Sequence, residues 1–465
     1  MPCPLRQRAI ISFIMACTLF SRILAVSLLA STNEHVVLIT IDGGAAYYLE
    51  DAAAPLPTLR QLAAQGASAA GMTVANPAIT WPNHTTLITG VYPEKHSVLF
   101  NGVLSRTPGG LAVSIDAKRD KADLVAVPTL CDYLHQKGYR TAGVNWPCTR
   151  NSGTLDDDLP DTPESLSYTT PRLLQELIDA RILATTNNAA FSGLSAAGRD
   201  QAWAAAALHL IQTRKPNLLI YHMLVTDTLQ HRYGPRSPAA YAALGMADAQ
   251  VREVWRALGE AGIRERTTLF IVADHGFELS TNIIHPNVLL RKHGLLETNA
   301  ASGNTPLLKA RVQTVAEGGT ALVYFNNPET REIDRAHALK LFRELEGIAG
   351  ILEPKEFPAL GLPDPEKNAQ MADLILVAKP NHGFSNISSG NEAITAVTLA
   401  AGNLGNHGYL ASNPNMNALF VAVGRGIKRG VKIGLIDNRS VAPTIAHLLG
   451  EKFSADAKVL TEILE

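Results

Sequence analysis

The sequence has no basic run, few cysteines, and no apolar stretch beyond its first thirty positions that is long enough to cross a bilayer. Forty-one Lys and Arg stand against 42 Asp and Glu. No cationic track exists for a nucleic-acid polymer, which is therefore not an expected partner. Of four cysteines, Cys3 and Cys17 fall in the apolar N-terminal stretch, leaving Cys131 and Cys148. Two thiols are too few for a cysteine zinc site, and they would pair only in an oxidising compartment. There are no internal repeats or low-complexity tracts after the N-terminal stretch. What is present, 46% apolar and 18% charged residues in a 465-residue chain, is globular composition that excludes extended disorder. The length suits one large α/β domain with an insertion, or two to three modest domains.

Residues 1–30 stand apart. Arg6 and Arg8 precede AIISFIMACTLFS, and Arg22 with ILAVSLLA leads into polar STNE. A basic start, an apolar core and small residues near Ala30 form the layout of a secretory signal, which implies a secreted or periplasmic protein. The alternative is an uncleaved membrane anchor, although Arg22 interrupts the ~20 apolar residues that a span needs. Ile-Met-Ala-Cys around Cys17 is a poor lipid-attachment box.

Four β-branched-rich apolar runs, at 36–40, 139–146, 217–225 and 267–274, each precede turn residues and a helical pattern. Helical stretches include 57–66, 199–215 and 238–262, the last two with apolar residues at intervals of three and four. Continuous rather than alternating apolar strands point to a sheet covered on both faces. The expected fold is α/β, a doubly wound and mostly parallel sheet flanked by helices, whose ligand site lies outside the carboxyl ends of the strands. Residues 31–465 form the expected catalytic domain. The stretch of about 280–400 is less regular and reads as an inserted subdomain, before a strand at 418–424 and a closing helix at 441–450.

Three short runs hold Asp and His at spacings that suit divalent metals: T-D-T-L-Q-H at 226–231, A-D-H-G at 273–276 and N-H-G at 406–408. Asp42 closes the first strand, Asp227 follows the third, and Asp274 with His275 closes the fourth. Asp227 and His231 are four apart, so one helical turn aims both the same way. Any single match is ordinary, since turns favour Asp. Three strand ends together, two of them with His, are harder to assign to chance. Carboxylate and neutral imidazole suit zinc, with manganese or iron as competitors. Two such ions would clamp the attacking and leaving oxygens of an in-line phosphoryl transfer. The hydroxyl candidate is Thr80, in ITWPNHTTLITG, where a helix starts near Pro82. It is a nucleophile, a helix N-cap or both, since a helix N-terminus also favours phosphate.

ITWPNHTTLITGVYPEKHSV, with Asp42-Gly43 upstream and the Asp-x-x-x-His, Asp-His-Gly and Asn-His-Gly-Tyr runs in this order, resembles the type I phosphodiesterase/nucleotide pyrophosphatase family of the alkaline phosphatase superfamily. The likeness covers most of the chain after residue 34. It implies an alkaline-phosphatase-like fold and a two-zinc hydrolase that works through a phosphothreonine intermediate. Carried over by position, Asp227, His231 and His407 hold one ion, Asp42, Asp274 and His275 hold the other with Thr80 bound to it, and Asn101 in LFNGV contacts the phosphate. His382 in PNHGFSN mimics His407, but only His407 is followed by the Met and apolar strand of the motif. His84 lies one turn into the helix and reads as structural rather than as a base.

The resemblance implies a small phosphodiester or nucleotide substrate. Trp81 favours diesters through an apolar face on which a leaving group can stack. A phosphomonoesterase or phosphonoacetate-hydrolase-like enzyme of the same superfamily is the alternative. The sulfatase motif C/S-x-P-x-R is missing. A secreted, non-catalytic metal-binding protein is the rival from another class, and no ligand or nucleophile is lost to support it. Asn386-Ile-Ser388 is a glycosylation acceptor only in a eukaryotic secretory route.

Overall fold

HVVLITI at 35–41 is buried at every position, which requires partners on both edges and cover on both faces. The computed structural model describes residues 34–107, 109–298, 307–400 and 402–465. The proposed leader or anchor at 1–30, with Cys3 and Cys17, lies outside the described residues. Among those described, no helix is long and apolar enough to cross a membrane.

The central sheet has eight strands: β1 His35–Ile41, β2 Ala67–Thr73, β3 Thr141–Pro147, β4 Asp157–Asp161, β5 Leu218–Met223, β6 Thr267–Val272, β7 Phe420–Gly424 and β8 Val431–Asp437. Their order is β8-β2-β7-β6-β1-β5-β3-β4. All adjacent pairs are parallel except those of β7, which runs against both β6 and β2. The sheet is thus mostly parallel, as expected. Helices α1 Pro57–Gln65, α3 Ala196–Thr213 and α5 Pro238–Glu260 pack over one face, with α2 Thr80–Thr89 and α6 Val441–Leu448 over the other. A short helix, α4 Val225–Tyr233, leaves the end of β5.

Two sheets outside this core bear on the site. Strand Glu278–Ile284 follows directly from the turn after β6 and pairs with Gly405–Asn406, Gly405 opposite Leu279 and Asn406 opposite Glu278. A chain segment more than a hundred residues downstream is thereby brought to the end of β6. The second is antiparallel, with Thr320–Phe325 between Val312–Ala316 and Leu374–Ala378, and Ile348–Leu352 at its edge. Strand alternation divides its side chains. Ala321, Val323 and Phe325 join the main core, while Leu322 and Tyr324 join a second one with Leu99, Leu104 and Phe357.

Cys131 and Cys148 are both buried and free. Cys131 packs in the main core, whereas Cys148 packs with Trp81, Val98 and Leu124. Burial pushes both thiols up to about 12.

Candidate metal centre

The carboxyl ends of β1, β5 and β6 lie side by side because β1 pairs with both neighbours in register. The residues that leave those ends therefore converge. Asp42 follows β1, Asp227 lies in the first turn of α4 beyond β5, and Asp274 and His275 follow β6. The Gly405–Asn406 pairing delivers His407 to the same point. The rings of His275 and His407 stack with centroids 3.8 Å apart.

Candidate ligating atoms are aimed by what their partner atoms do. Asp274 Oδ1 accepts the backbone N–H of Gly43 at 3.2 Å and of His275 at 3.0 Å, leaving Oδ2 free. Gly43 makes this contact at φ +66, where a Cβ would lie 2.6 Å from the Phe277 ring, so both conformation and space require glycine. Three imidazoles are held alike. Nδ1 of His231 donates to Gly405 O at 3.0 Å, that of His275 to Gly276 O at 3.1 Å and that of His407 to Ala78 O at 2.9 Å. These bonds fix the tautomer and present each Nε2 lone pair.

Those lone pairs meet carboxylates. His231 Nε2 lies 3.3 Å and His407 Nε2 3.6 Å from Asp227 Oδ1, and His275 Nε2 lies 3.4 Å from both Asp42 Oδ1 and Asp274 Oδ2. Donor atoms of Asp42, Asp274 and His275 fall within 4.8 Å of one another, as do those of Asp227, His275 and His407. His275 thus stands between the two groups. His231 reaches Asp227 but is not in that tight set.

Asp42 Oδ1, Asp227 Oδ1, Asp274 Oδ2 and His275 Nε2 are buried with no hydrogen-bond partner. Each would cost about 1–3 kcal/mol in an otherwise dry protein. Burial pushes Asp42 well above the usual carboxylate range, reinforced by the charges of Asp227 and Asp274, and pushes Asp274 up to about 6. Burial opposes ionisation of Asp227, yet the neighbouring His231 holds it below the usual range. Burial lowers His275 to about 4, and lowers His407 well below its usual value with help from His275 and His231. The imidazoles of His275 and His407, kept neutral by burial, and crowded, orphaned carboxylate oxygens form a donor set that fits divalent cations, while the charge of Asp227 raises His231 against its burial.

Thr80 begins α2 rather than capping it. The cap position is Ile79, without a side-chain cap bond. Every residue of α2 is buried, and three of its threonines bond back into the helix. Thr85, Thr86 and Thr89 donate to the carbonyls four residues back at 2.8, 2.9 and 2.7 Å. Asn101 Oδ1 accepts the Trp81 N–H at 2.9 Å, which ties the Asn101 side chain to the start of α2 through its oxygen. Trp81 is 6% exposed and its indole donates to Asp161 at 3.2 Å. Its side chain borders a cleft of about 340 Å³ that Asp161, Arg199 and Trp203 also line.

His84 donates through Nδ1 to Thr80 O at 2.9 Å and is fully buried, so it braces the turn. His382 turns Nδ1 to Pro380 O at 2.9 Å, outside the Asp and His cluster. Two residues that sequence reasoning missed hold the site. Asn83 binds Pro77 O at 3.1 Å, Ile79 O at 2.9 Å and Ala75 N at 2.7 Å, fixing the loop before Thr80. His222, in β5, lies 3.3 Å from Asp42 Oδ2. A lone His inside an apolar strand gives no sequence signal beyond a core residue.

Among curated proteins, the chain is 23% identical over 427 residues to an ectonucleotide pyrophosphatase/phosphodiesterase of Caenorhabditis elegans, covering 91% of this chain and 48% of that one. It is 25% identical over 247 residues to venom phosphodiesterase 2 of Crotalus adamanteus, covering 53% and 27%. The chain therefore spans half or less of the length of these relatives. In fold it is similar to murine ectonucleotide pyrophosphatase/phosphodiesterase 5, with a TM-score of 0.68, 17% identity and coverage of 93% of this chain and 100% of that one. An inactive form of that murine protein, solved in complex with AMP, aligns at 0.67 with 17% identity, over 93% of this chain and 100% of that one. The architecture is the alkaline-phosphatase-like fold that the sequence resemblance implied. The model for type I phosphodiesterase/nucleotide pyrophosphatase matches residues 36–410, and the chain belongs to that family.

Proposed function

We propose that the protein is a metal-dependent hydrolase of phosphodiester or phosphoanhydride bonds that works through a phosphothreonine at Thr80. The observation that carries this reading is the convergence of orphaned carboxylate and imidazole atoms on the segment that holds Thr80. His407 is bonded to Ala78 O, and His84 Nδ1, which donates to Thr80 O at 2.9 Å, lies 3.6 Å from Asp274 Oδ2. Asp227, His231 and His407 would hold one ion and Asp42, Asp274 and His275 the other. Zinc is the metal that best suits this mixture. Bound ions supply Lewis-acid stabilisation of the charge on the attacking and leaving oxygens.

Thr80 Oγ1 attacks phosphorus, and the bond to the leaving alcohol or phosphate breaks. Water then cleaves the phosphothreonine, so two inversions give net retention. The amide N–H₂ of Asn101 and the backbone N–H of Thr80 offer donors to the phosphoryl oxygens, the Trp81 N–H being spent on Asn101 Oδ1. The AMP complex of the murine neighbour supports a small nucleotide as substrate. The names of the relatives, ecto-enzymes and venom enzymes, support an extracytoplasmic location, with 1–30 as leader or anchor and 31–465 as one catalytic domain that includes an accessory region at about 280–400.

The test is p-nitrophenol release from bis(p-nitrophenyl) phosphate and from p-nitrophenyl phosphate, before and after chelation. Preference for the diester, lost on chelation and restored by Zn²⁺, is expected. No release from the diester by metal-loaded protein, or activity indifferent to a chelator, would overturn the reading.

A further inference from the structure

His222 is 1% exposed, and each of its ring nitrogens faces a buried polar atom. Its Nδ1 lies 3.0 Å from Thr40 Oγ1 and 3.0 Å from His84 Nε2. Its Nε2 lies 3.3 Å from Asp42 Oδ2 and has no hydrogen-bond partner. The arrangement is set by the backbone, because the parallel register of β1 and β5 places Thr40 directly opposite His222.

The hydrogens follow from counting. His84 Nδ1 faces Thr80 O at 2.9 Å, and a carbonyl only accepts. In the neutral ring that burial favours, His84 Nδ1 therefore carries the proton and Nε2 is bare. The donors within reach of that bare nitrogen are the Thr40 hydroxyl at 2.8 Å and His222 Nδ1. Were His222 Nδ1 also bare, the single Thr40 proton would serve all three contacts, and two lone pairs would face each other at 3.0 Å. With the proton on His222 Nδ1, Thr40 accepts from His222 and donates to His84, and no pair of acceptors is opposed.

That assignment leaves Nε2 of His222 bare, its lone pair toward a carboxylate oxygen. Two buried acceptors 3.3 Å apart need a positive charge between them, which a bound cation supplies when Asp42 is ionised. The presentation repeats that of His231, His275 and His407, whose Nδ1 atoms are each spent on an oxygen and whose Nε2 atoms face carboxylates. Asp42 is then flanked on both edges, by His275 at Oδ1 and by His222 at Oδ2.

We propose that His222 is a further ligand of the metal centre, its Nε2 joining Asp42 Oδ2 on a divalent cation. The inference rests on the metal-dependent reading above and adds a residue to it.

Nitrogen-15 NMR of histidine-labelled wild-type protein, metal-free and loaded with Zn²⁺, reads Nε2 of His222 directly, and His222→Gln identifies its resonance. A proton-free Nε2 that shifts on loading, with Nδ1 still protonated, is expected. Titration of His222→Gln with Zn²⁺ against a chromophoric chelator should show one ion bound about ten-fold or more weakly, with the ion of Asp227, His231 and His407 bound as in wild type. A proton on Nε2 in the loaded wild type, or wild-type affinity for both ions in the variant, would overturn the assignment; the wild-type spectrum decides alone if the variant does not fold. Failure of wild-type protein to bind Zn²⁺ at all is a separate result that removes the metal reading together with this one.

Discussion

Asp227 and His231 face each other across one turn of α4, with Nε2 of the histidine 3.3 Å from Oδ1 of the carboxylate. His407 approaches the same oxygen at 3.6 Å, its ring centroid 4.9 Å from that of His231. Asp227→Asn keeps the shape of the side chain but removes the charge on which both imidazoles converge. The expected outcome is an affinity for one of two Zn²⁺ ions lowered about 100-fold or more, with hydrolysis of the diester falling in step. Elemental analysis of dialysed protein checks it, and two ions retained at full affinity would contradict it.

Thr80 Oγ1 is proposed as the attacking atom, whereas the carboxylates and imidazoles supply the main donor set, so its removal should separate chemistry from binding. Thr80→Ala is expected to lose turnover by about 10⁴-fold or more while metal content stays at the wild-type level. Rapid-quench detection of a phosphorylated chain should succeed in the wild type and fail in the variant. Full turnover in Thr80→Ala would remove the nucleophile assignment.

How much of this was legible beforehand differs residue by residue. Asp42, Asp274 and His275 were readable because continuous apolar runs mark buried parallel strands, and such strands place their last residues together. Asp227 and His231 were readable from helical spacing. His407 was readable only as part of a motif, since its arrival depends on Gly405–Asn406 pairing with Glu278–Ile284, which no local pattern encodes. His382 carries the same Asn-His-Gly triplet and the fold leaves it elsewhere. The reversed direction of β7 was invisible, because an apolar run reads alike in both directions. His222 was invisible because its importance lies in tautomer and register, neither of which is a property of composition.

Asn101 spends its carbonyl oxygen on the Trp81 N–H at 2.9 Å, so only its amide nitrogen is available to a phosphoryl oxygen. Asn101→Ala is expected to lower kcat/KM by about 10²–10³-fold. Asn101→Asp keeps the acceptor for Trp81 but sets an anion where the donor stood, and is expected to be worse than alanine. Steady-state kinetics on the diester decide it, and an aspartate variant as active as wild type would show that the amide nitrogen donates nothing to the substrate.

Glu317 gives a stability prediction with a definite sign. Its carboxyl is buried, and burial pushes it up to about 8 from a usual 4.5. Thr320 Oγ1 lies 2.9 Å from Glu317 Oε2 and 2.7 Å from Gly408 O. Thr320 has one proton, so a protonated Glu317 that donates to Thr320, which in turn donates to Gly408, satisfies both contacts. The turn is tight against the candidate ligand His407: Gly319 N donates to His407 O at 2.8 Å, and a Cβ on Gly408, at φ +71, would lie 1.8 Å from Glu317 O. Because the folded form holds this proton more tightly than the unfolded chain, the contribution is fully present below pH 4.5 and is lost as pH rises toward about 8. The slope from this group is at most about 1.4 kcal/mol per pH unit. Glu317→Gln keeps a donor for Thr320 and cannot ionise, so its Tm should lack that part of the decline and exceed that of the wild type at pH 8. Parallel Tm profiles for the two proteins from pH 5 to pH 9 would show that Glu317 is not the group responsible.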